Sequence, residues 1–232
     1  MSKKIFLTGG AGYIGSVLTE LLLSKGYNVT VLDIFRFSEN SLNHLISNEN
    51  LKILKLDARS VDKKILEQQD FIIPLAAIVG APACQIYKED AISINKDAIL
   101  KILECMSENQ KIIFPTTNSG YGTTTGELYC DEKTPLNPIS LYGKLKKEVE
   151  GIIMKRNNAV CFRLATVFGV SPRHRRDLLV NDFVFKAIKD KSISLFEPNF
   201  KRNYVHIKDV ARAYLFAIEN FEELKGEVYN LG

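Results

Sequence analysis

The stretch Thr8-Gly9-Gly10-Ala11-Gly12-Tyr13-Ile14-Gly15 limits what this chain can fold into more than any other. The apolar run before it, residues 4–8, reads as a β-strand. Ile14, Val17, Leu18, Leu21 and Leu22 follow at helical spacing, and Gly26 ends that helix. Gly9, Gly12 and Gly15 therefore form a G-x-x-G-x-x-G turn between a strand and a helix. The first glycine permits a tight turn and the second lets backbone approach a pyrophosphate. The third lets helix and strand pack closely. The helix N-terminus adds unpaired N–H groups and a positive dipole. Asp33 ends the next apolar run and completes a dinucleotide-binding pattern. Its carboxylate suits ribose hydroxyls and opposes a 2′-phosphate, so NAD is expected, while Arg36 keeps NADP open.

Residues 28–33, 51–56, 71–75, 111–115 and 159–164 read as further strands. Helical patterns fall between most of them, notably at 91–108 and 142–157. Near-continuous apolar strands alternating with helices predict a parallel sheet covered on both faces. The expected fold is α/β, a doubly wound parallel Rossmann sheet at residues 1–165. A small C-terminal substrate lobe is expected at 166–232, interleaved with the sheet and incomplete. It would hold a loop at 169–177, a helix at 178–190 and a short strand at 193–196. A helix to about residue 220 and a strand at 228–232 would follow.

Function classes are narrowed by what is missing. No run of about 18 uncharged apolar residues predicts a membrane span, and the N-terminal apolar run is too short for a signal peptide. A net charge of +4 is too mild to imply nucleic acid. No aromatic pattern interleaves with the basic loop Arg173, His174, Arg175 and Arg176, which reads as a pyrophosphate clamp or a solvated loop. Cys84, Cys105, Cys130 and Cys161 form no C-x-x-C pair, and His44, His174 and His206 do not cluster. No metal is expected, and a reducing, cytoplasmic setting follows.

Tyr142 and Lys146 lie four apart and share one helical face. A phenol with pKa near 10 is a poor base at neutral pH. An adjacent ammonium and a positive nicotinamide favour the phenolate, which can take a hydroxyl proton as hydride leaves the same carbon.

These features resemble one family. Together Thr8 to Gly15, Asp57-Ala58-Arg59, Leu75-Ala76-Ala77, Thr116 to Gly122, Tyr142 to Lys146, Arg163 to Gly169 and Arg202 to Asp209 resemble the extended short-chain dehydrogenases/reductases. That group is the NAD-dependent epimerase/dehydratase family of nucleotide-sugar enzymes. The resemblance implies Thr117, Tyr142 and Lys146 as catalytic residues. It implies Gly9, Gly12, Tyr13, Ile14, Gly15, Asp33, Asp57, Ala58, Leu75, Ala76, Ala77, Asn95, Tyr142 and Lys146 as NAD contacts. Thr117, Asn118, Ser119, Asn181 and Arg202 are the implied substrate contacts, and His206 and Asp209 are implied to be structural.

Departures sharpen the expected reaction. Dehydrating members carry an Asp-Glu pair after the catalytic Thr, where Asn118 and Ser119 stand here. Decarboxylating members carry Glu, and members that combine 3,5-epimerisation with reduction carry Cys, at the position of Ser119. Pro74 and Thr166 replace the usual His and Asn. Val79 to Pro82, Thr117 to Gly122, Arg163 to Gly169, Ser171 to Arg173 and Asp177 to Phe183 resemble a bacterial surface-polysaccharide subgroup. That subgroup includes GDP-heptose 4-dehydrogenases and UDP-glucose 4-epimerase-like proteins. The implied function is NAD-dependent oxidation at C4 of a UDP-, GDP- or dTDP-sugar, as a 4-epimerase or 4-dehydrogenase. The alternatives are an NADP-dependent 4-keto sugar reductase and a non-catalytic NAD sensor. The resemblance also implies a homodimer, in which Ile99, Ile102 and Leu103 face a partner or bury against the sheet.

Overall fold

The computed structural model describes residues 2–122, 129–196, 198–199 and 201–232. Seven parallel strands form its central sheet: β1 (Lys4–Thr8), β2 (Asn28–Asp33), β3 (Leu51–Lys55), β4 (Phe71–Pro74), β5 (Lys111–Thr117), β6 (Ala159–Leu164) and β9 (Val228–Leu231). They lie in the order β3-β2-β1-β4-β5-β6-β9. A second, two-stranded sheet pairs β7 (Thr166–Phe168) with β8 (Tyr204–His206).

Both faces of the main sheet are covered, as the continuous apolar strands demand. Alternation along β1 sends Ile5 and Leu7 into one core and Phe6 into the other. The first core lies under α1 (Tyr13–Ser24) and α8 (Ile207–Glu219), where Leu18, Leu22, Val210 and Tyr214 are buried. The opposite core lies under α2 (Lys63–Leu66), α5 (Ala98–Cys105) and α6 (Leu141–Ile153). Two short helices, α3 (Ala81–Ile86) and α4 (Lys88–Ile92), cover the carboxyl end of β4. The remaining helices are α7 (Leu179–Lys189) and α9 (Phe221–Leu224).

Several expectations are corrected. Residues 193–196 form no strand: Ile193, Leu195 and Phe196 are exposed and pair with nothing described. The single helix expected at 91–108 starts earlier, at α4, and is interrupted by a π-helical segment, Ser93–Asp97, before α5. Of the two placements open to Ile99 and Ile102, burial against the sheet is the one found. The α6 helix stops at Ile153, and residues 154–157 turn towards β6.

Candidate active site

The strand order reverses between β1 and β4, so their carboxyl ends open a crevice. Gly9 turns the chain there with φ of +71°. A Cβ on it would lie 2.6 Å from Ala76 N, inside the β4 exit loop. A Cβ on Gly15 would lie 2.2 Å from Gly9 O, so only glycine lets α1 start this close to the turn. Gly12 stands at the N-cap of α1 and makes no side-chain capping bond. The first-turn N–H groups, those of Tyr13 and Ile14 among them, thus face outward for an anion.

Asp33 joins this turn to β2. Its carboxylate accepts from Ala11 N at 3.0 Å and from Phe35 N at 2.8 Å. Phe35, whose N–H makes that second bond, has φ of +57°. Leu75, Ala76 and Ala77 are partly exposed along the opposite rim. Asp57 lies two residues beyond β3 and caps the turn at Ala58–Ser60. Its carboxylate binds the Arg59 guanidinium at 2.6 Å, and that pairing holds it below the usual carboxylate range. Ala58 is buried beneath it.

Asn95 sits in the π-helical segment and is almost fully buried. It accepts from Ile78 N and donates to Ile78 O, both at 2.8 Å, so it fixes the loop after β4. Cys84 packs beside it, buried, with its thiol donating to Ile78 O at 3.1 Å.

The expected catalytic residues come from β5 and α6. Thr117 ends β5, and its hydroxyl accepts from Ser119 N at 3.2 Å. Ser140 caps α6 by accepting from Gly143 N. Gly143 lies against that turn: its Cβ position is 3.3 Å from Ser119 O. The first turn of α6, which carries Tyr142, therefore abuts the turn after Thr117. Lys146, one turn on, is 4% exposed, donates to Pro115 O at 2.8 Å and lies 6.0 Å from the Tyr142 ring centroid.

Burial pushes the Tyr142 phenol up to about 12, with Cys84 adding to the shift and Arg175 opposing it. Burial also pushes the Lys146 ammonium down to about 8. The expected lowering of the tyrosine is therefore absent from the protein's own charges, and Lys146 alone does not supply it.

The substrate-side residues are more scattered. Asn118 donates to Asn203 Oδ1 at 2.6 Å. Ser119 is exposed on the same turn, and Arg202 is exposed beside Asn203. Asn181 is buried, donates to the Tyr13 hydroxyl at 3.1 Å and to Arg175 O at 2.9 Å, and accepts from Gly169 N at 3.0 Å. His206 caps α8 by accepting from Lys208 N, and Asp209 pairs with Arg212. Ser171, given no role by the motif it belongs to, is buried, donates to Tyr13 O at 2.8 Å and ties the basic loop to α1. Arg175 also shapes the electrostatics of the crevice, since its charge favours both the Tyr13 and Tyr142 phenolates.

Residues 5–232 match the model of the NAD dependent epimerase/dehydratase family. The chain belongs to that family. It is 30% identical to the uncharacterised UDP-glucose epimerase YtcB of Bacillus subtilis, over 99% of this chain and 76% of that protein. It is 29% identical to a putative UDP-glucose 4-epimerase of Methanocaldococcus jannaschii, over 98% of this chain and 76% of the relative. Among solved structures it superposes on UDP-glucuronic acid 4-epimerase from Bacillus cereus, in complex with UDP-glucuronic acid and NAD. The TM-score is 0.87 and the identity 27%, covering 99% of this chain and 77% of that one. The chain is an NAD-dependent enzyme of the nucleotide-sugar epimerase and dehydrogenase class. NAD is its cofactor, and the uncapped α1 N-terminus beside Asp33 is the donor and acceptor set that such a dinucleotide needs. No helix among the described residues is long and apolar enough to cross a membrane.

Proposed function

We propose that this enzyme oxidises C4 of a UDP-linked hexose and returns the hydride to the opposite face, as a 4-epimerase. One observation carries the reading. The turn after Thr117 abuts the first turn of α6, and Asn118 and Ser119 occupy the positions where dehydrating members carry acid and base. That leaves chemistry at one carbon. Relatives described as UDP-glucose epimerases supply the nucleotide and sugar class.

In this reading the Thr117 hydroxyl orients the C4 hydroxyl of the sugar. Tyr142 takes that hydroxyl proton and later returns it. NAD, when bound, supplies the hydride acceptor and the positive charge that draws the phenol towards phenolate. Lys146, fixed on Pro115 O, holds the nicotinamide ribose and adds its own charge. Gly9, Gly12, Tyr13, Ile14, Gly15, Asp33, Asp57, Ala58, Leu75, Ala76, Ala77 and Asn95 shape the cofactor site. Arg202 meets the substrate phosphates, and Asn181 acts on them through Arg175 and Gly169. The sheet forms the NAD-binding domain, and residues 166–232 contribute the substrate lobe. The enzyme works in the cytoplasm as a homodimer; its free cysteines suit that compartment.

The test is incubation with UDP-glucose, UDP-N-acetylglucosamine and UDP-glucuronic acid, with products read by NMR. The expected product is the C4 epimer, with no net NADH released. Stoichiometric NADH with a 4-keto product would instead make it a 4-dehydrogenase.

A further inference from the structure

One hydrogen bond ties the turn after Thr117 to the segment that carries Arg202. Asn118 Nδ2 donates to Asn203 Oδ1 at 2.6 Å, between residues 85 apart in the chain. The Asn203 end is firmly seated. Its carbonyl accepts from Thr166 N at 3.3 Å, where the β7–β8 sheet begins. Its amide nitrogen packs beside Gly232, just past β9, where a Cβ would lie 3.0 Å from Asn203 Nδ2. One residue on, Tyr204 pairs with Thr166, and its ring stands edge-on to Phe168 at 6.4 Å.

The Asn118 end belongs to the candidate catalytic turn. Asn118 stands between Thr117 and Ser119, and Ser119 N donates to the Thr117 hydroxyl at 3.2 Å. That bond closes the turn and fixes where the hydroxyl oxygen lies. Among the described residues the Asn118 side chain has no other hydrogen-bond partner. Asn203 is exposed, so the amide pair competes with water and contributes little to folding. Its consequence is geometric. Arg202 and Asn203 are successive residues, with Cα atoms about 3.8 Å apart. An anion that fixes Arg202 therefore fixes Asn203 as well, and Asn118 carries that constraint to the Thr117 turn.

We propose that Asn203 is a positioning residue which, through Asn118, transmits phosphate binding at Arg202 to the Thr117 hydroxyl. The inference rests on the reading of Arg202 as a substrate-phosphate contact and of Thr117 as the group that orients the C4 hydroxyl. It holds for any hexose carried on the nucleotide. Asn118 thereby spends its donor on the protein rather than on the sugar. A misplaced reacting hydroxyl costs rate more than binding, so the link acts on turnover.

The test follows amide hydrogen exchange by mass spectrometry in the NAD-loaded protein, with and without UDP. UDP ends at its second phosphate and carries no hexose to lie over Thr117, so protection of the turn must pass through the protein. In the native protein UDP should slow exchange at residues 201–206 and also, by about fivefold or more, at residues 117–122. Asn203→Leu, at an exposed position, removes the acceptor; protection should persist at 201–206 and vanish at 117–122. Asn203→Asp keeps an acceptor for Asn118 and should restore it. With a nucleotide sugar that the native enzyme turns over, Asn203→Leu should lower kcat about 3–10-fold, the loss of one neutral hydrogen bond. KM should change less than about twofold, and Asn203→Asp should rescue the rate. UDP protection of 117–122 that survives in Asn203→Leu would overturn the inference. So would a native protein in which UDP protects 201–206 alone or neither segment. The exchange measurement needs no sugar, so the 4-epimerase reading stands or falls separately.

Discussion

Asn181 donates a hydrogen bond at 3.1 Å to the hydroxyl of Tyr13, so a residue of α7 holds a residue at the start of the cofactor helix. The Tyr13 hydroxyl in turn donates to Gly169 O at 2.7 Å. The amide of Asn181 also holds Arg175 and Gly169. A ligand that orders either side thus orders the other, and such coupling is reciprocal. UDP should raise NAD affinity in the native protein by about 5-fold or more. Asn181→Leu keeps the volume but removes every bond, and the NAD affinity should no longer respond to UDP. Calorimetric titration of NAD with and without UDP decides the matter. An undiminished response in the variant would place the coupling elsewhere.

Asp33 holds the turn, because its carboxylate accepts from Ala11 N and Phe35 N, and in the proposed site it would also meet the ribose. Asp33→Asn keeps one acceptor for those bonds and removes the charge that opposes a 2′-phosphate. NAD should bind roughly tenfold more weakly and NADP more tightly, so the preference narrows from both sides. Equal losses for both cofactors would show that Asp33 only supports the turn.

The sequence made the main sheet readable because its signals are local. Ile5, Phe6 and Leu7 are apolar in a row, and Gly9 and Gly15 stand where close backbone approach forbids a Cβ. The misses have distant causes. β7 is three residues long and exists only because Tyr204–His206 pairs with it. Residues 193–196 show a strand-like pattern but find no edge to join. The π-helical segment that buries Asn95 needs one extra residue per turn, which apolar spacing does not reveal. The candidate site was legible as residue types; what the sequence could not show is that Asn181 spends its amide on Tyr13, Arg175 and Gly169.

Lys146 and Tyr142 make opposite contributions to stability at alkaline pH. Lys146 titrates near 8 in the folded protein and near 10.5 when unfolded. Between those values the unfolded chain holds the extra proton, so stability rises with pH. Tyr142 titrates near 12 folded and near 10.0 unfolded, so above pH 10 the folded state holds the extra proton and stability falls. Urea unfolding should show the native protein gaining on Lys146→Met between pH 7 and pH 10, by on the order of 2 kcal/mol. A constant difference across that window would mean that Lys146 is not desolvated.

Tyr142→Phe removes the phenolic oxygen and leaves the ring to pack. Single-turnover hydride transfer should slow by about 10²–10⁴-fold, with NAD affinity nearly unchanged. Lys146→Met should lower both. An unchanged transfer rate in Tyr142→Phe would assign the proton to another group.

Glu150 and Arg163 form a buried ion pair at 2.7 Å, with both side chains under a tenth exposed. Arg163 also donates to the Tyr121 hydroxyl at 2.9 Å, and that hydroxyl donates to Asn230 Oδ1 at 2.6 Å. The network joins α6, β6, β9 and the turn after Thr117, which are the elements that carry and flank the proposed catalytic residues. A buried pair is seldom the most stable choice for its volume. Removing one partner leaves an uncompensated charge, so Arg163→Met should cost about 3–5 kcal/mol of stability. The double variant Glu150→Leu with Arg163→Met removes both charges and should recover most of that loss. If the network only stabilises, the double variant should also recover turnover. The bond to Tyr121 is missing in both variants, so the expected outcome is a stable protein with kcat still reduced at least about tenfold and KM little changed. Native kcat in the double variant would make the pair a packing device and leave the placement of Tyr142 to α6 alone.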